Sequence, residues 1–342
     1  MNDLAAVVEK PRAQAAISAL RAEGVYDDAR SVYECGAETV AIPVTEPPAR
    51  TAVLDVIRET GERRLRTLAD HLREQGWTED ETDRAPSSWA VIGSVVLVET
   101  GDAPRPGEVG EALLSMHGEA DTVLSRAGID GEHREPSVEV IAGEGDTETV
   151  HREHGTVYAL DLGTMMFSPG NKAERARMGE AVADGERVLD MFAGIGYFTL
   201  PMARAGARVT AVERNPDSFE YLIENVVRNG VQDAVETYRA DCRDVVESGI
   251  ETSNEGAFGF DRVVMGYYDA DEYLDSALAA LDAGGTLHMH EATPAALVPD
   301  RPTRRLREAA ADRNREVTVL QTREVKGYSE GVTHVVVDAR VE

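Results

Sequence analysis

The sequence predicts an α/β protein whose C-terminal part is a doubly wound, Rossmann-type sheet and whose N-terminal part is a smaller α/β region. Three observations lead to this fold class. Apolar strand-like runs alternate with helical segments from residue 161 onward, which is typical of a parallel sheet. Residues 187–200 read as a strand, a glycine-bearing turn and the start of an amphipathic helix. At 342 residues, the chain is long enough for two domains and a small third piece.

The N-terminal region divides into two predicted pieces. The first, residues 1–46, contains a helix near 12–22 and a strand near 39–44 and ends in a linker marked by Pro43, Pro47 and Pro48. The second, residues 50–160, begins with a helical half that carries Arg63, Arg64, Arg66 and Arg73. The elements expected after it are one strand at 89–98, a helix that ends at Met116, and strands near 138–141 and 156–160.

The C-terminal region is predicted to form the parallel sheet. Its strands are expected near residues 187–193, 207–213, 235–240, 261–268 and 285–291. A closing hairpin is expected from residues 316–326 and 333–341, across Gly327 and Gly331. We therefore place three domains, at residues 1–46, 50–160 and 161–342.

The composition is strongly acidic, with a net charge of −28 from 63 acidic and 35 basic residues. Such a surface repels phosphate and would normally count against a nucleic-acid partner. However, the only lysines are Lys10, Lys172 and Lys326, and the acidic residues are spread along the whole chain. This pattern is typical of adaptation to high salt, where charges are screened within about 3 Å at 1 M. The acidic excess then indicates a halophilic habitat, and local charge says more about the partner.

Two further features of the composition concern the cellular location. Cys35 and Cys242 are the only cysteines, too few for a disulfide framework or a zinc site, and they indicate a reducing cytoplasm and no metal. No apolar stretch approaches a membrane span, and the acidic N-terminus lacks the order of a signal peptide. We expect a cytoplasmic protein with no membrane partner, and no protein partner is evident.

The glycine-bearing turn predicts a nucleoside site. Gly194 and Gly196 let the backbone approach a ligand, and the helix that follows offers unpaired N–H groups. Glu213 ends the next predicted strand, where a carboxylate suits a ribose diol. No third glycine follows, which argues against a pyrophosphate. Asp190, at the first strand tip, would repel phosphate and can pair with an α-ammonium group. These features favour S-adenosylmethionine; a βαβ unit without a ligand is the alternative.

Four more stretches belong to the same region of the predicted sheet. They are residues 167–177 before the first strand, Asp241 and Cys242 at the third strand tip, residues 261–268 on the fourth strand, and residues 288–291 on the fifth. Ligands of doubly wound sheets bind at the carboxyl ends of the strands, so we expect these stretches to meet in one crevice.

One local cluster of positive charge is evident. Residues 301–315 hold six arginines against two acidic residues. On a helix, Arg304, Arg307 and Arg315 share roughly one side, which suits a face that follows phosphates. A solvated helix face paired with the acidic surface explains the cluster equally well.

Several motifs together resemble the archaeal tRNA-modifying enzymes that act on the guanosine 3′ of the anticodon. They are the run FSP at 167–169 with Glu174 and Arg175, the run DMFAGIG at 190–196, the run VKGY at 325–328, and residues 140–155. The resemblance covers about residues 90–342. It implies a class I methyltransferase-like catalytic domain, an RNA-handling N-terminal region, and a haloarchaeal source. Residues 1–46 resemble a shortened elbow-reading domain, to which we assign no role.

The resembling family has two branches with different chemistry. One methylates N1 of guanosine and carries an Asn-Leu-Pro type motif at the fourth strand tip. The other transfers the 3-amino-3-carboxypropyl group of S-adenosylmethionine to C7 of 4-demethylwyosine in the anticodon loop of tRNA(Phe). This chain has Met265, Gly266 and Tyr267 at that tip, followed by a His-x-His-Glu run, which is similar to the second branch. The N1-methyltransferase is the alternative, followed by a tRNA-binding protein with a degenerate pocket and a small-molecule methyltransferase.

The resemblance also implies roles for individual residues. Ser168 and Arg175 are expected to contact the cofactor, with Arg175 as a fork donor to the methionine carboxylate. Glu213 would hold the ribose, while Asp241 and Cys242 would lie at the adenine. Six residues are expected to contact the tRNA: Lys172, Met265, Gly266, Tyr267, Arg304 and Arg307. The base that removes the C7 proton is expected to be Glu174 or His290. His288, Glu291 and water are alternative bases, and Tyr268 is a second candidate to stack on the target base.

Overall fold

The computed structural model describes residues 3–59, 61–130, 135–252 and 259–342. The chain forms two compact units, Met1–Asp83 and Arg84–Glu342. The boundary therefore follows Asp83, whereas the linker was predicted at 47–50. The division into three domains by role stays a prediction. In the described part of the chain, no helix has the length and apolar character needed to cross a membrane.

The N-terminal unit is a four-stranded antiparallel sheet with one long helix. Its strands lie in the order β2-β3-β1-β4: β1 (Leu4–Glu9), β2 (Tyr33–Glu34), β3 (Thr39–Val44) and β4 (Asp55–Ile57). Helix α1 (Ala13–Glu23) ends at Gly24, whose φ of 83° suits glycine. Its buried Ala16 and Leu20 pack against the apolar face of the sheet. Helix α1 and strand β3 were predicted from the sequence and are confirmed.

The segment after this sheet is less helical than predicted. Two short helices, α2 (Leu68–Glu74) and α3 (Glu79–Thr82), each begin with a capping box, formed by Thr67 with Asp70 and by Thr78 with Glu81. The prediction of a helical half bearing four arginines is therefore wrong for Arg63, Arg64 and Arg66, which precede α2. Only Arg73 lies on a helix.

The second unit begins with a separate four-stranded sheet. Strands β5 (Trp89–Ile92), β6 (Val95–Val98), β7 (Thr122–Asp130) and β8 (Glu135–Gly143) lie in that order, and helix α4 (Pro106–Met116) packs on β7 and β8. The single strand predicted at 89–98 is wrong. Gly93, with a φ of 58°, turns the chain, so the apolar run folds into the β5–β6 hairpin.

A second hairpin, β9 (Glu148–Glu153) and β10 (Thr156–Asp161), joins this sheet to the main one. Two asparagines hydrogen-bond to the backbone of β10: Asn225 on helix α7 (Pro216–Arg228) and Asn229 directly after its end. The Asn225 amide accepts from Ala159 N at 2.6 Å and donates to Ala159 O at 3.0 Å. Asn229 makes the same pair of bonds with Val157. Asp161, where the third domain is predicted to begin, is thus the last residue of a hairpin that docks onto α7, and the domain limit stays a prediction.

The main sheet has seven strands in the order β13-β12-β11-β14-β15-β17-β16. Its strands are β11 (Arg187–Asp190), β12 (Arg208–Val212), β13 (Val235–Tyr238), β14 (Phe260–Met265), β15 (Leu281–Pro294), β16 (Val317–Ser329) and β17 (Val332–Val341). The first five are parallel, and β17 runs antiparallel to both of its neighbours. The predicted strands and the closing hairpin are confirmed.

Helices cover both faces of this sheet. They are α5 (Lys172–Ala181), α6 (Thr199–Arg204), α7, α8 (Cys242–Thr252), α9 (Leu274–Ala280) and α10 (Asp300–Asp312). Two apolar clusters form the layers between helices and sheet: one contains Val188, Leu200 and Leu222, and the other contains Leu189, Leu278 and Leu306. The strand order reverses between β11 and β14, which places the expected crevice at the carboxyl ends of these strands.

Candidate cofactor and substrate site

A cavity opens at this switch point and gathers most of the predicted site. Its walls include Ser168, Arg175, Gly194, Glu213, Asp241, Cys242, Gly266, Tyr267 and His290. The predicted residues outside its walls are Lys172, Glu174, Asp190, Gly196, Met265, Arg304 and Arg307. The structure therefore brings the strand-tip residues together as expected.

The glycine turn is shaped by close packing as well as by its backbone. Gly194 and Gly196 have φ values of 57° and 102°. A Cβ atom on Gly194 would lie 2.5 Å from the Tyr197 ring, and one on Gly196 would lie 2.8 Å from Leu200. Gly194 lines the cavity, while Gly196 turns the chain into α6. Both positions require glycine, but only Gly194 is placed to approach a ligand.

Glu213 ties the second strand tip to the glycine turn. Its carboxylate accepts from Gly194 N at 2.8 Å and from Asn215 N at 2.7 Å. Burial raises the pKa of Glu213, and the backbone N–H groups that it accepts from oppose this rise. Each carboxylate oxygen has a further lone pair, so the group can still accept from a ribose diol.

Asp190 lies beneath the cavity wall and is fully buried. Its Oδ2 accepts from Thr199 Oγ1 at 2.7 Å, and its Oδ1 accepts no well-formed hydrogen bond from the described residues. Burial raises the pKa of Asp190 to about 6, and the negative charge of Glu213 contributes to the rise. Two neighbouring buried carboxylates are unfavourable in their ionised forms, and a cationic ligand would stabilise those forms.

The third strand tip forms a wall with one ionised side chain. Asp241 accepts from Arg243 Nε at 2.9 Å and Nη2 at 2.6 Å, and this bonding lowers its pKa. Burial raises the pKa of Cys242 to about 12, so it lines the cavity as a neutral thiol. A thiol in this state is a packing surface and not a nucleophile.

Arg175 does not present the expected fork. It lines the cavity, but its Nε and Nη2 donate to both oxygens of Glu153 at 2.7 and 2.9 Å. Its Nη1 donates to the backbone oxygen of Ser168 at 3.0 Å, and its guanidinium carbon lies 4.6 Å from the centre of the Phe167 ring. The role as bidentate binder of a carboxylate would require Arg175 to leave Glu153. In the structure, Arg175 instead fixes the 167–168 segment against the β9–β10 hairpin.

Glu174, unlike Arg175, does not line the cavity. Both of its oxygens accept from Arg323, with 2.9 Å between Nε and Oε2. Arg323 also donates to Asp338, which holds the ring of His288 at 2.6 Å. Glu174 is buried, paired with Arg323 and outside the cavity walls, so this geometry gives it a structural role, and its role as base stays a prediction.

The fourth strand tip divides its three residues between core and cavity. Met265 is fully buried in the core below the cavity. At Gly266, a Cβ atom would lie 2.8 Å from the Phe198 ring. Tyr267 stacks on Phe192 with ring centres 5.2 Å apart. The expectation that Met265 contacts the substrate is therefore not supported, whereas Gly266 and Tyr267 do line the cavity.

The histidines of β15 separate into two environments. His288 does not line the cavity and bonds to Asp338 and Arg262. His290 lines it, and its Nδ1 lies 3.0 Å from His334 Nε2. Glu291 is buried and pairs with Arg301 at 2.7 Å. Of the candidate bases, only His290 therefore lies at the cavity.

The predicted positive face is smaller than expected. On α10, Arg304 and Arg307 are exposed, and Arg304 approaches Glu308 at 3.7 Å. Arg315 lies beyond the helix and donates to the carbonyl oxygens of Leu278 and Leu281. The prediction that Arg315 shares this face is wrong, because the helix ends at Asp312.

The lysines in the motifs also differ in position. Lys172 is exposed at the start of α5, outside the cavity walls. Lys326 donates to the hydroxyl of Ser168, which does line the cavity. Any contact of Lys172 with the tRNA is therefore made outside the cavity.

Several residues of the site were missed, and four of them have clear roles in its structure. Asn215 and Tyr273 line the cavity, Glu153 holds Arg175, and His334 pairs with His290. The position of Asn215, two residues after Glu213, was a usable signal. No sequence signal marked Glu153 or His334. The docking of the β9–β10 hairpin brings Glu153 to the site, and the register of β17 with β15 brings His334 there.

The comparisons with known proteins agree with this geometry. The model of the TRM5/TYW2 methyltransferase domain matches residues 149–320, and that of the TYW2 N-terminal domain matches residues 68–147. Two relatives are both named tRNA(Phe) (4-demethylwyosine(37)-C(7)) aminocarboxypropyltransferase. The one from Pyrococcus horikoshii is 36% identical over 75% of this chain and 90% of its own. The one from Methanocaldococcus jannaschii is 38% identical over 73% of this chain and 96% of its own.

Two solved structures are also similar. Trm5b from Pyrococcus abyssi matches with a TM-score of 0.75 and 29% identity over 99% of each chain. TYW2 from P. horikoshii, in complex with MeSAdo, matches with a TM-score of 0.68 and 32% identity over 81% of this chain and 99% of its own. The domain model and the two relatives together establish that this chain belongs to the TRM5/TYW2 methyltransferase family.

Proposed function

We propose that this protein transfers the 3-amino-3-carboxypropyl group of S-adenosylmethionine to C7 of 4-demethylwyosine at position 37 of tRNA(Phe), with release of 5′-methylthioadenosine. The two relatives that match over most of their length bear the name of this activity. The match to the TYW2 N-terminal domain supports the same branch. We place the reaction in the cytoplasm.

The cavity suits S-adenosylmethionine as co-substrate. Glu213 offers a carboxylate to the ribose, and the neutral Cys242 beside Asp241 forms a wall for the adenine. The buried carboxylates of Asp190 and Glu213 would favour the positive charge of the sulfonium or the α-ammonium group. A TYW2 structure and its M. jannaschii counterpart hold MeSAdo and AdoMet, respectively.

The fourth strand tip is the observation on which the choice of branch depends. The methylating branch carries an Asn-Leu-Pro type motif there, whereas residues 265–268 of this chain contain neither an asparagine nor a proline, and Met265 is buried outside the cavity. A side chain at Gly266 would collide with Phe198. The tip therefore offers aromatic surface from Tyr267 and no amide that could hold the Watson–Crick edge of guanine.

The residues of the chain then act mainly by positioning. The sulfonium activates the methyl carbon and the methionine Cγ alike, so the carbon held about 3–3.5 Å from the nucleophile, in line with its breaking C–S bond, is transferred. Arg175, Glu153 and Ser168 fix the wall opposite the strand tips. Tyr267, stacked on Phe192, offers a face to a tricyclic base that has left the anticodon-loop stack.

The tRNA partner is proposed from the names of the relatives. Arg304 and Arg307 supply an exposed positive face in an acidic protein, and Lys172 is a third exposed cation on the same unit. These residues suit contacts with phosphates, which fix the register of the RNA without reading its bases.

One observation favours a second candidate, the tRNA guanosine-37 N1-methyltransferase. The Trm5b structure matches 99% of this chain and so includes the N-terminal unit, whereas the TYW2 structure covers 81%. Trm5b of P. abyssi is also 31% identical over 75% of this chain. The N-terminal unit is therefore compatible with either activity, and the strand tip favours the first.

The test uses S-adenosylmethionine labelled in either the methyl group or the carboxyl carbon. Each is incubated in high salt with tRNA(Phe) carrying 4-demethylwyosine or guanosine at position 37. We expect carboxyl label to enter only the demethylwyosine tRNA. Methyl label in the guanosine tRNA would establish the second candidate, and failure to bind S-adenosylmethionine would indicate a tRNA-binding protein with a degenerate pocket.

A further inference from the structure

Two buried histidines at the cavity form a connected pair. His290 on β15 and His334 on β17 both line the cavity, and His290 Nδ1 lies 3.0 Å from His334 Nε2. Each keeps one ring nitrogen, His290 Nε2 and His334 Nδ1, without a hydrogen-bond partner among the described residues. Their exposed fractions are 1% and 0%. Buried polar atoms without partners are rare and commonly mark a functional site.

The surroundings of the pair oppose a positive charge on either ring. Burial lowers the pKa of His290 to about 3 and that of His334 to about 2. The charges of Arg323 and Lys326 act in the same direction on His334, while Glu174 opposes them. Tyr268 packs edge-on against His334, with ring centres 4.8 Å apart. A lone histidine in this place could not hold a proton taken from a substrate.

Two neutral rings joined by one hydrogen bond can pass a proton without ever becoming charged. If His290 Nδ1–H donates to His334 Nε2, then His290 Nε2 carries a lone pair and His334 Nδ1 carries a hydrogen. Accepting a proton at the first nitrogen and releasing one at the last only exchanges the tautomers of the two rings. Burial, which prevents an imidazolium, does not hinder this exchange.

We propose that His290 and His334 form a proton relay that removes the C7 hydrogen of the target base. This proposal rests on the proposed function. His290 is the member that receives the proton, because its ring packs 5.2 Å from Phe198, which lies against Gly266 at the fourth strand tip. His334 acts through His290 and is a positioning and relay residue.

The proton and electron balance of the step is complete. The C7 π electrons form the new bond to Cγ, and the C–S bond electrons remain on sulfur in the released thioether. The C7–H electrons then restore the aromatic ring, and the proton goes to His290 Nε2. In the same step the Nδ1 proton of His290 moves to His334 Nε2, and the Nδ1 proton of His334 leaves to water in the cavity. No oxidant or further reactant is needed.

The test replaces each ring with an amide, which can hydrogen-bond but cannot exchange tautomers. Single-turnover rates are measured for His290→Gln, His334→Gln and the double variant, with tRNA carrying hydrogen or deuterium at C7. We expect each variant to lose about 10²-fold or more in rate, and the double variant to lose no more than either one, because the residues act as a unit. We also expect the variants to show a C7 deuterium isotope effect above 2, larger than the effect in the wild-type protein.

The matched control is His288→Gln, a buried histidine on the same strand that is bound to Asp338 and does not line the cavity. It should reduce thermal stability without producing an isotope effect. A wild-type rate in His334→Gln, or a rate loss without an isotope effect, would overturn the relay. If wild-type protein transfers no carboxyl label at all, the proposed function fails instead.

A second measurement on the wild-type protein covers the case in which the variants do not fold. With C7-deuterated substrate, the rate is followed across mixtures of H2O and D2O. The relay predicts a curved dependence on the deuterium fraction, since two exchangeable ring protons move in one step. A linear dependence would contradict it.

Discussion

At the scale of single residues, the cavity depends on charges whose partners lie inside the protein. Asp190 and Glu213 are carboxylates that burial makes unfavourable, while Arg175 and Glu174 are neutralised by Glu153 and Arg323. Of the first pair, Glu213 lines the cavity and can meet a ligand directly, while Asp190 contributes its charge from beneath the wall. The second pair holds the walls in place.

Asp190→Asn should stabilise the folded protein and weaken its binding of S-adenosylmethionine. Burial raises the pKa of Asp190 above its unfolded value, so the ionised form destabilises the free protein. This destabilisation is present above about pH 6 and is lost progressively as the pH falls from about 6 to 3.8. The rise from 3.8 to about 6 corresponds to about 3 kcal/mol at neutral pH. We expect the variant to melt at a higher temperature than wild type at pH 7.5, with a smaller difference at pH 5, and to lose affinity for S-adenosylmethionine in calorimetry. Equal destabilisation at both pH values would contradict this explanation.

Glu174→Gln should damage stability more than chemistry. Removing one partner of a buried ion pair costs about 3 kcal/mol, and Arg323→Gln should cost about the same, with strong non-additivity in the double variant. At a temperature where the variant is folded, its single-turnover rate should stay within about threefold of wild type. A large rate loss with an unchanged melting temperature would restore Glu174 as the base.

At the scale of elements, the β9–β10 hairpin and α7 support the glycine turn. Asn225 bonds to the backbone of Ala159 on β10, and its Nδ2 also donates to Ile195 O in the turn at 3.0 Å. Asn229 holds Val157 of the same hairpin, and none of its bonds reaches the turn. The buried side chain of Asn225 thus links the position of the hairpin to the shape of the glycine turn.

Asn225→Ala should therefore weaken both the fold and the cofactor site. The loss of three buried hydrogen bonds should lower the free energy of unfolding by about 2–4 kcal/mol and reduce affinity for S-adenosylmethionine severalfold. The matched control, Asn229→Ala, should reduce stability with little change in affinity. Equal effects of both variants on affinity would show that the bond to Ile195 does not matter.

Helix α10 has a separate test. Among the described residues, Arg307 makes no ion pair, and Arg304 makes one exposed pair that contributes little. Replacing both with alanine should weaken tRNA binding and reduce its salt slope by about 2. Arg313→Ala is the control, since Arg313 directly follows α10 and pairs with Asp275 on α9. An unchanged salt slope in the double variant would favour a merely solvated face.

These elements also show what could be predicted from sequence. Strand tips were predictable because Asp190, Glu213 and Asp241 each follow an apolar run, and parallel strands end at one edge. The ion-pair partners of Arg175 and Glu174 were not predictable. Glu153 is brought to Arg175 by the docking of the β9–β10 hairpin, and Arg323 is brought to Glu174 by strand β16. The β5–β6 turn was missed because only Gly93 and Ser94 separate two apolar runs, which together look like one long strand.

At the scale of the whole molecule, the chain forms two compact units, carries a net charge of −28 and holds its candidate cofactor cavity in the larger unit. The acidic residues are often neutralised by neighbouring arginines, as in the bonds of Arg187 to Asp261 and Asp282. The charge that the tRNA meets is therefore set locally by residues such as Arg304. Adaptation to high salt stays a prediction, and the central claim concerns which carbon of the sulfonium is transferred.

The most direct measurement of that claim identifies the adenosyl by-product. Wild-type protein is incubated with S-adenosylmethionine and tRNA(Phe) carrying 4-demethylwyosine. The small molecules are then separated by chromatography and identified and quantified by mass spectrometry. Transfer of Cγ predicts one equivalent of 5′-methylthioadenosine per modified tRNA, and none without tRNA. S-adenosylhomocysteine as the by-product would show that the methyl group is transferred and would contradict the proposed function.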